Sequence, residues 1–180
     1  NAWYGCYCPG CKKRYEEKTG RPCPDWPKSV DPMQKLDETW LKMRVDAITE
    51  TLKRGIAAVR EVRPDIEISA AVFAGHDEHI YHAQQWRTWC REGLLDFVCP
   101  MTYCKDREDL RMKIVPMIDT AVGSPKTKIY PSVGVLYAKG KCKTAEEVRD
   151  HASIIRWAGF PGICYYILDP NTTESLKSEK

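Results

Sequence analysis

The chain has 180 residues, 43% hydrophobic and 29% charged: enough apolar material for a sizeable core and too much for a disordered chain. Its net charge of +3 comes from interspersed residues of both signs, so no basic stripe marks a nucleic acid or a membrane surface as partner. No run reaches the roughly 18 apolar residues of a membrane span, and the opening "NAWYGCYCPG" lacks the charged-then-apolar order of a signal peptide.

Nine cysteines cannot all pair within one chain. Cys6, Cys8, Cys11 and Cys23 gather near the start. A Cys-x-Cys-x-x-Cys run followed by a fourth cysteine offers four soft ligands to Zn²⁺, which takes thiolates tetrahedrally at about 2.3 Å. Residues 1–30 are therefore expected to form a Cys-rich loop with little core of its own, ordered by a structural zinc with no open coordination position. Two disulfides in an exported protein are the alternative. Cys90, Cys99, Cys104, Cys142 and Cys164 lie scattered through apolar segments and are expected as small buried hydrophobes.

From Asp31 to Pro64, apolar residues from Leu36 to Val62 recur at three and four, which predicts a long helix opened by Asp31, Pro32 and Gln34. "DIEISAAVF" (65–73) predicts a buried strand. After "AGHDEH" a helix is expected over 80–92, closed by a left-handed Gly93. "GLLDFVCPMTYC" (93–104) predicts a second strand, in which Asp96 is expected to be a structural carboxylate hydrogen-bonded to backbone. A helix from about Arg107, kinked or ended at Pro116, precedes a third strand over 128–137. Thr144 and Glu147 form a capping box that opens a helix ending at Gly159, and "GICYYIL" (162–168) is the fourth strand.

Apolar strands alternating with helices predict an α/β protein with four parallel strands. Neither Gly-x-Gly-x-x-Gly nor a Walker-type loop follows a strand, which removes the usual reasons for an open nucleotide-binding sheet. The pattern favours a (β/α)8 TIM-barrel type fold, with residues 31–170 covering about its second half and 171–180 forming a polar tail. In such barrels chemistry sits at the carboxyl ends of the strands. Those ends carry His76, Asp77, Glu78 and His79; Met101, Tyr103 and Asp106; Tyr137; and Tyr165, Tyr166 and Asp169. Aromatic rings beside carboxylates suit a sugar, whose apolar faces stack on rings while acids act on the glycosidic oxygen. Asp77, Glu78, Asp106 and Asp169 are the candidate acids, each also readable as a solvated loop charge. Trp86 joins the tyrosines as a candidate platform, Trp89 is assigned to packing, and His76, His79 and His82 read either as a metal cluster or as a surface run.

The blocks "WLKMRVDAIT", "RPDIEISAAVF", "QQWRTWCREGLLDFVCPMTY", "YPSVGVLY" and "WAGFPGICYY" resemble, in order, the second half of the bacterial glycosyl-hydrolase-like TIM-barrel proteins related to the tenth such family. The likeness runs from about Trp3 to Leu168. It implies a glycoside-hydrolase-type barrel acting on a polysaccharide or glycan by paired carboxylates. It also implies that Arg44 is the family arginine on the helix after the fourth strand, that Met101 and Tyr103 stand at the mouth of the sixth, and that Asp106 is the acid that often follows. The chain departs from the family at Gln84, Gln85 and Trp86, where the family has Gln-Asp-Trp. The family strand bearing a candidate catalytic acid would precede Asn1. Since four strands cannot close such a barrel, an upstream half or a second copy is the expected complement. A polysaccharide substrate would favour an exported or cell-surface location. A non-catalytic glycan-binding or structural module and a zinc-stabilised interaction domain are the competing readings.

Overall fold

The structure is a computed structural model and describes residues 5–34, 36–75, 81–104, 106–135 and 144–166. The chain folds as two compact units. The first runs to Pro64 and takes in the short segment ending at Gln85; the second holds the rest from Asp65 onward.

In the first unit, α1 (Pro9–Thr19) starts with a proline where its missing N–H costs nothing, and it closes at Gly20, whose φ of +69° suits a residue without Cβ. A 3₁₀ turn (Lys28–Val30) leads to α2 (Glu38–Val62). The expectation that Asp31 opens this helix is corrected. Asp31 instead closes a turn, accepting from Met33 N at 3.0 Å through its carboxylate and from Gln34 N at 2.9 Å through its carbonyl. Asp37 is the cap: its Oδ1 accepts from Trp40 N at 2.7 Å, and its Oδ2 accepts from the Tyr15 hydroxyl at 2.8 Å. A single carboxylate thus starts α2 and ties α1 to it, and among the described residues Asp31 has no such second partner to hold it at a helix start.

The expectation of a loop with little core is also corrected. Cys11, Tyr15, Cys23, Val30 and Trp40 are buried together, with Tyr7, Trp26 and Met43 packed around them. Trp26 meets Trp40 edge-on at 5.0 Å between centroids, Tyr7 lies 5.9 Å from each indole, and Trp26 Nε1 donates to the Tyr7 carbonyl at 3.0 Å. Such ring pairs add about 0.5–1.5 kcal/mol each beyond the area they bury.

The second unit holds β1 (Ser69–Phe73), α3 (Trp86–Arg91), β2 (Phe97–Met101), α4 (Arg107–Val122), β3 (Lys128–Ile129), β4 (Ser132–Gly134), α5 (Ala145–Trp157) and β5 (Cys164–Tyr166). Every pairing is parallel: β1 with β2, β2 with β3, and β4 with β5. The molecule is a mixed α/β protein of parallel strands and helices. The third strand is not continuous. Pro131 has no N–H to give a ladder, so the chain pairs with β2 as far as Tyr130, whose N donates to the Val98 carbonyl, and then passes to β5, where Cys164 N donates to the Pro131 carbonyl.

Local signals act here as their chemistry requires. Gly93 takes φ +64° after α3, and Thr144 and Glu147 exchange both capping bonds, at 3.0 and 3.1 Å. Asp96 Oδ2 accepts from Ile68 N at 2.7 Å, the structural role expected of it. Pro116 neither ends α4 nor forces a break: it lies on the exposed side with Met112, whose carbonyl loses the helical bond. Among the described residues no helix is long and apolar enough to cross a membrane.

Candidate functional site

Cys8 is the N-cap residue of α1, and its carbonyl accepts from the amides of Cys11 and Lys12 at 2.9 and 3.1 Å. This turn folds Cys6, Cys8 and Cys11 onto one another, with all three sulfurs within 4.8 Å. The Cys8 and Cys11 sulfurs stand 3.7 Å apart. Four thiolates at about 2.3 Å from a tetrahedral ion lie about 3.8 Å from each other, so this pair already spans one edge of a zinc tetrahedron. The three cysteines form a group that could hold a metal ion.

The group's electrostatics are uneven. The Cys11 amide at the helix start, and then the neighbouring thiols, lower the Cys8 thiol to about 7. Burial, followed by the same neighbours, pushes Cys11 up to about 11. Arg14, one turn further along α1, donates from Nη2 to the Cys11 sulfur at 3.2 Å. Arg14 was not singled out in the sequence; its i,i+3 spacing from Cys11 was the available signal.

Cys23, expected as the fourth ligand, lies outside the three-sulfur group. Its sulfur lies 2.9 Å from the Ser29 hydroxyl, and its amide donates to Glu16 Oε1 at 2.7 Å. After α1 the chain turns back, and Cys23 packs in the same buried cluster as Cys11 without its sulfur joining the group. No disulfide joins the described cysteines to one another. Of the scattered ones, Cys90 and Cys104 are buried and Cys99 and Cys164 half-buried.

Beside the cysteines lies a cavity of about 410 Å³, whose lining includes Cys6, Cys11, Arg14, Trp40, Arg44 and His82. Arg44, proposed from the sequence as a substrate-binding residue, is half-buried here and donates from Nη2 to the Tyr81 carbonyl. Gly5 borders it with φ +137°, and a Cβ there would stand 2.9 Å from Arg44 Nε.

In the second unit the end of β2 gathers several of the expected residues. Tyr103 and Tyr166 stack with centroids 5.5 Å apart and planes 22° from parallel. Burial, and then Tyr166 and the thiols of Cys164 and Cys99, push the Tyr103 hydroxyl up to about 12. Lys113 Nζ donates to the Tyr103 carbonyl at 2.5 Å, and Thr102, fully buried, donates to the Ser132 carbonyl at 2.7 Å. Met101 ends β2 and Tyr165 lies in β5, both half-buried, while Tyr166 is exposed. Asp106 is exposed and caps α4, accepting from Asp109 N at 2.9 Å. Trp86, expected as a platform, is buried like Trp89; its Nε1 donates to the Phe73 carbonyl at 2.9 Å and the Arg87 guanidinium covers its ring at 4.4 Å. No face of that ring is left for a ligand. Asp77, Glu78, Tyr137 and Asp169, together with His76 and His79, lie outside the described residues.

No family model and no curated protein matches the chain.

Proposed function

We propose that the chain is a carbohydrate-active, glycosyl-hydrolase-like protein of the (β/α)-barrel type, which binds glycan at the carboxyl ends of its parallel strands and holds a structural zinc on its N-terminal cysteines. The observation that carries this reading is the stacked Tyr103 and Tyr166 pair, set just beyond β2 and at the end of β5. Strand order supports the barrel: among the described residues, each paired strand lies beside its predecessor or successor in the chain, with no reversal of the kind that makes a doubly wound sheet. The donor set supports the metal, since three thiolates favour zinc over hard cations.

A platform tyrosine that covers about 60 Å² of apolar sugar surface contributes about 1.5 kcal/mol, or about tenfold in affinity. Tyr166→Ala should therefore weaken binding to a responsive polysaccharide by about tenfold with little change in stability, as read by titration calorimetry across a panel of glycans. Wild-type binding to the panel with no loss in the Tyr166 variant would remove the platform.

A second reading, glycan binding without hydrolysis, is favoured by the occupation of Asp106 as a helix cap. Asparagine caps as well as aspartate, so Asp106→Asn leaves α4 intact and isolates the chemistry. Hydrolysis through Asp106 predicts turnover reduced by about 100-fold or more with binding retained. Unchanged turnover would take Asp106 out of the mechanism.

A further inference from the structure

We propose that His82 is the fourth ligand of the N-terminal metal centre, which makes it a Cys3His site. The inference rests on the reading of Cys6, Cys8 and Cys11 as metal ligands. Those three thiolates leave one corner of a tetrahedron unfilled, and Cys23, hydrogen-bonded to Ser29, does not belong to the group. The cavity that Cys6 and Cys11 line is also lined by His82.

One guanidinium lies against both segments. Arg44 donates to the carbonyl of Tyr81, the residue before His82, and a Cβ at Gly5, the residue before Cys6, would stand 2.9 Å from its Nε. Arg44 is thus a positioning residue that keeps the histidine segment against the cysteine turn. The imidazole lies outside the three-sulfur group, so ligation requires it to move toward the sulfurs.

Charge is compatible with a neutral fourth donor. Zn²⁺ with three thiolates carries one net negative charge, which the Arg14 guanidinium on Cys11 balances, and an imidazole adds none to it. Cys3His is an established ligand set for structural zinc.

The test loads the full chain with Co²⁺ to read the ligand set from the visible spectrum, and measures zinc affinity by chelator competition. His82→Ala should weaken zinc at least about 10- to 100-fold, since loss of even an outer-shell partner of a metal ligand has that effect. His82→Cys should restore binding and raise the thiolate-to-cobalt absorption by about a third, as three sulfurs become four. A His82→Ala protein that binds zinc as tightly as wild type, with an unchanged cobalt spectrum, overturns the assignment and leaves the cysteine centre standing. A wild-type chain that binds neither metal overturns the centre and this inference together.

Discussion

Replacing Cys11 by serine is expected to weaken zinc binding by about 100- to 1,000-fold. Structural zinc sites bind with about 10–16 kcal/mol shared over four ligands, so one thiolate accounts for about 3–4 kcal/mol. Cys11 is the buried member of the set and carries the Arg14 contact, so no nearby group replaces it. The pH dependence has a defined sign. Metal binds thiolate, so besides any proton on Cys6 it must displace that of Cys11, which is held up to about 11, and below pH 7 also that of Cys8, which titrates at about 7. Affinity should therefore fall by about tenfold per pH unit for each displaced proton, and more steeply as pH drops through 7. Competition with a chromophoric chelator between pH 6 and 8 checks both slope and break. A flat profile, or a serine variant that binds like wild type, would mean that these thiols do not hold the ion. Metal removal should lower stability by mass action, about 2.7 kcal/mol where free zinc stands at 100 times its Kd. It should not erase the near-ultraviolet signal of the aromatic cluster, because those rings bury one another.

Trp40→Ala is expected to cost about 3–5 kcal/mol of stability, a large fraction of the roughly 5–15 kcal/mol that holds a domain folded. Trp40 is 4% exposed, lies on the first turn of α2, and meets Trp26, Tyr7 and Tyr15 at centroid distances of 5.0, 5.9 and 6.4 Å. No small collapse can close the void left between three rings held by separate segments. Its loss should also weaken the metal centre, since Cys11 sits in the same cluster. Urea unfolding followed by Trp26 fluorescence reads the first effect, and zinc competition reads the second. A cost below about 1 kcal/mol would show that the four-ring cluster does not organise the first unit.

Much of the local structure was legible in the sequence because it depends on neighbours in the chain. The Thr144 and Glu147 box, the left-handed Gly93 and the alternation of apolar strands with helices are each decided within a few residues. Asp96 was legible for a related reason: a carboxylate inside an apolar strand must find a donor, and Ile68 N is that donor. Three of the four cysteines expected as ligands gather as the spacing suggests, because Cys8 at a helix start draws the turn together through local hydrogen bonds.

Tertiary packing decided the rest. Asp31 and Asp37 are comparable caps on paper, and the helix begins at the one whose second oxygen Tyr15 reaches from another helix. Cys23 looks like a fourth ligand until its sulfur pairs with the Ser29 hydroxyl, and Trp86 looks like a platform until Phe73 takes its nitrogen and Arg87 covers its ring. The Tyr103 and Tyr166 stack joins residues 63 positions apart in the chain, which no spacing encodes. Short-range hydrogen bonds and periodic burial are written in the order of residues. The choice among equivalent caps, ligands and rings belongs to whichever distant partner the fold brings within a few ångströms.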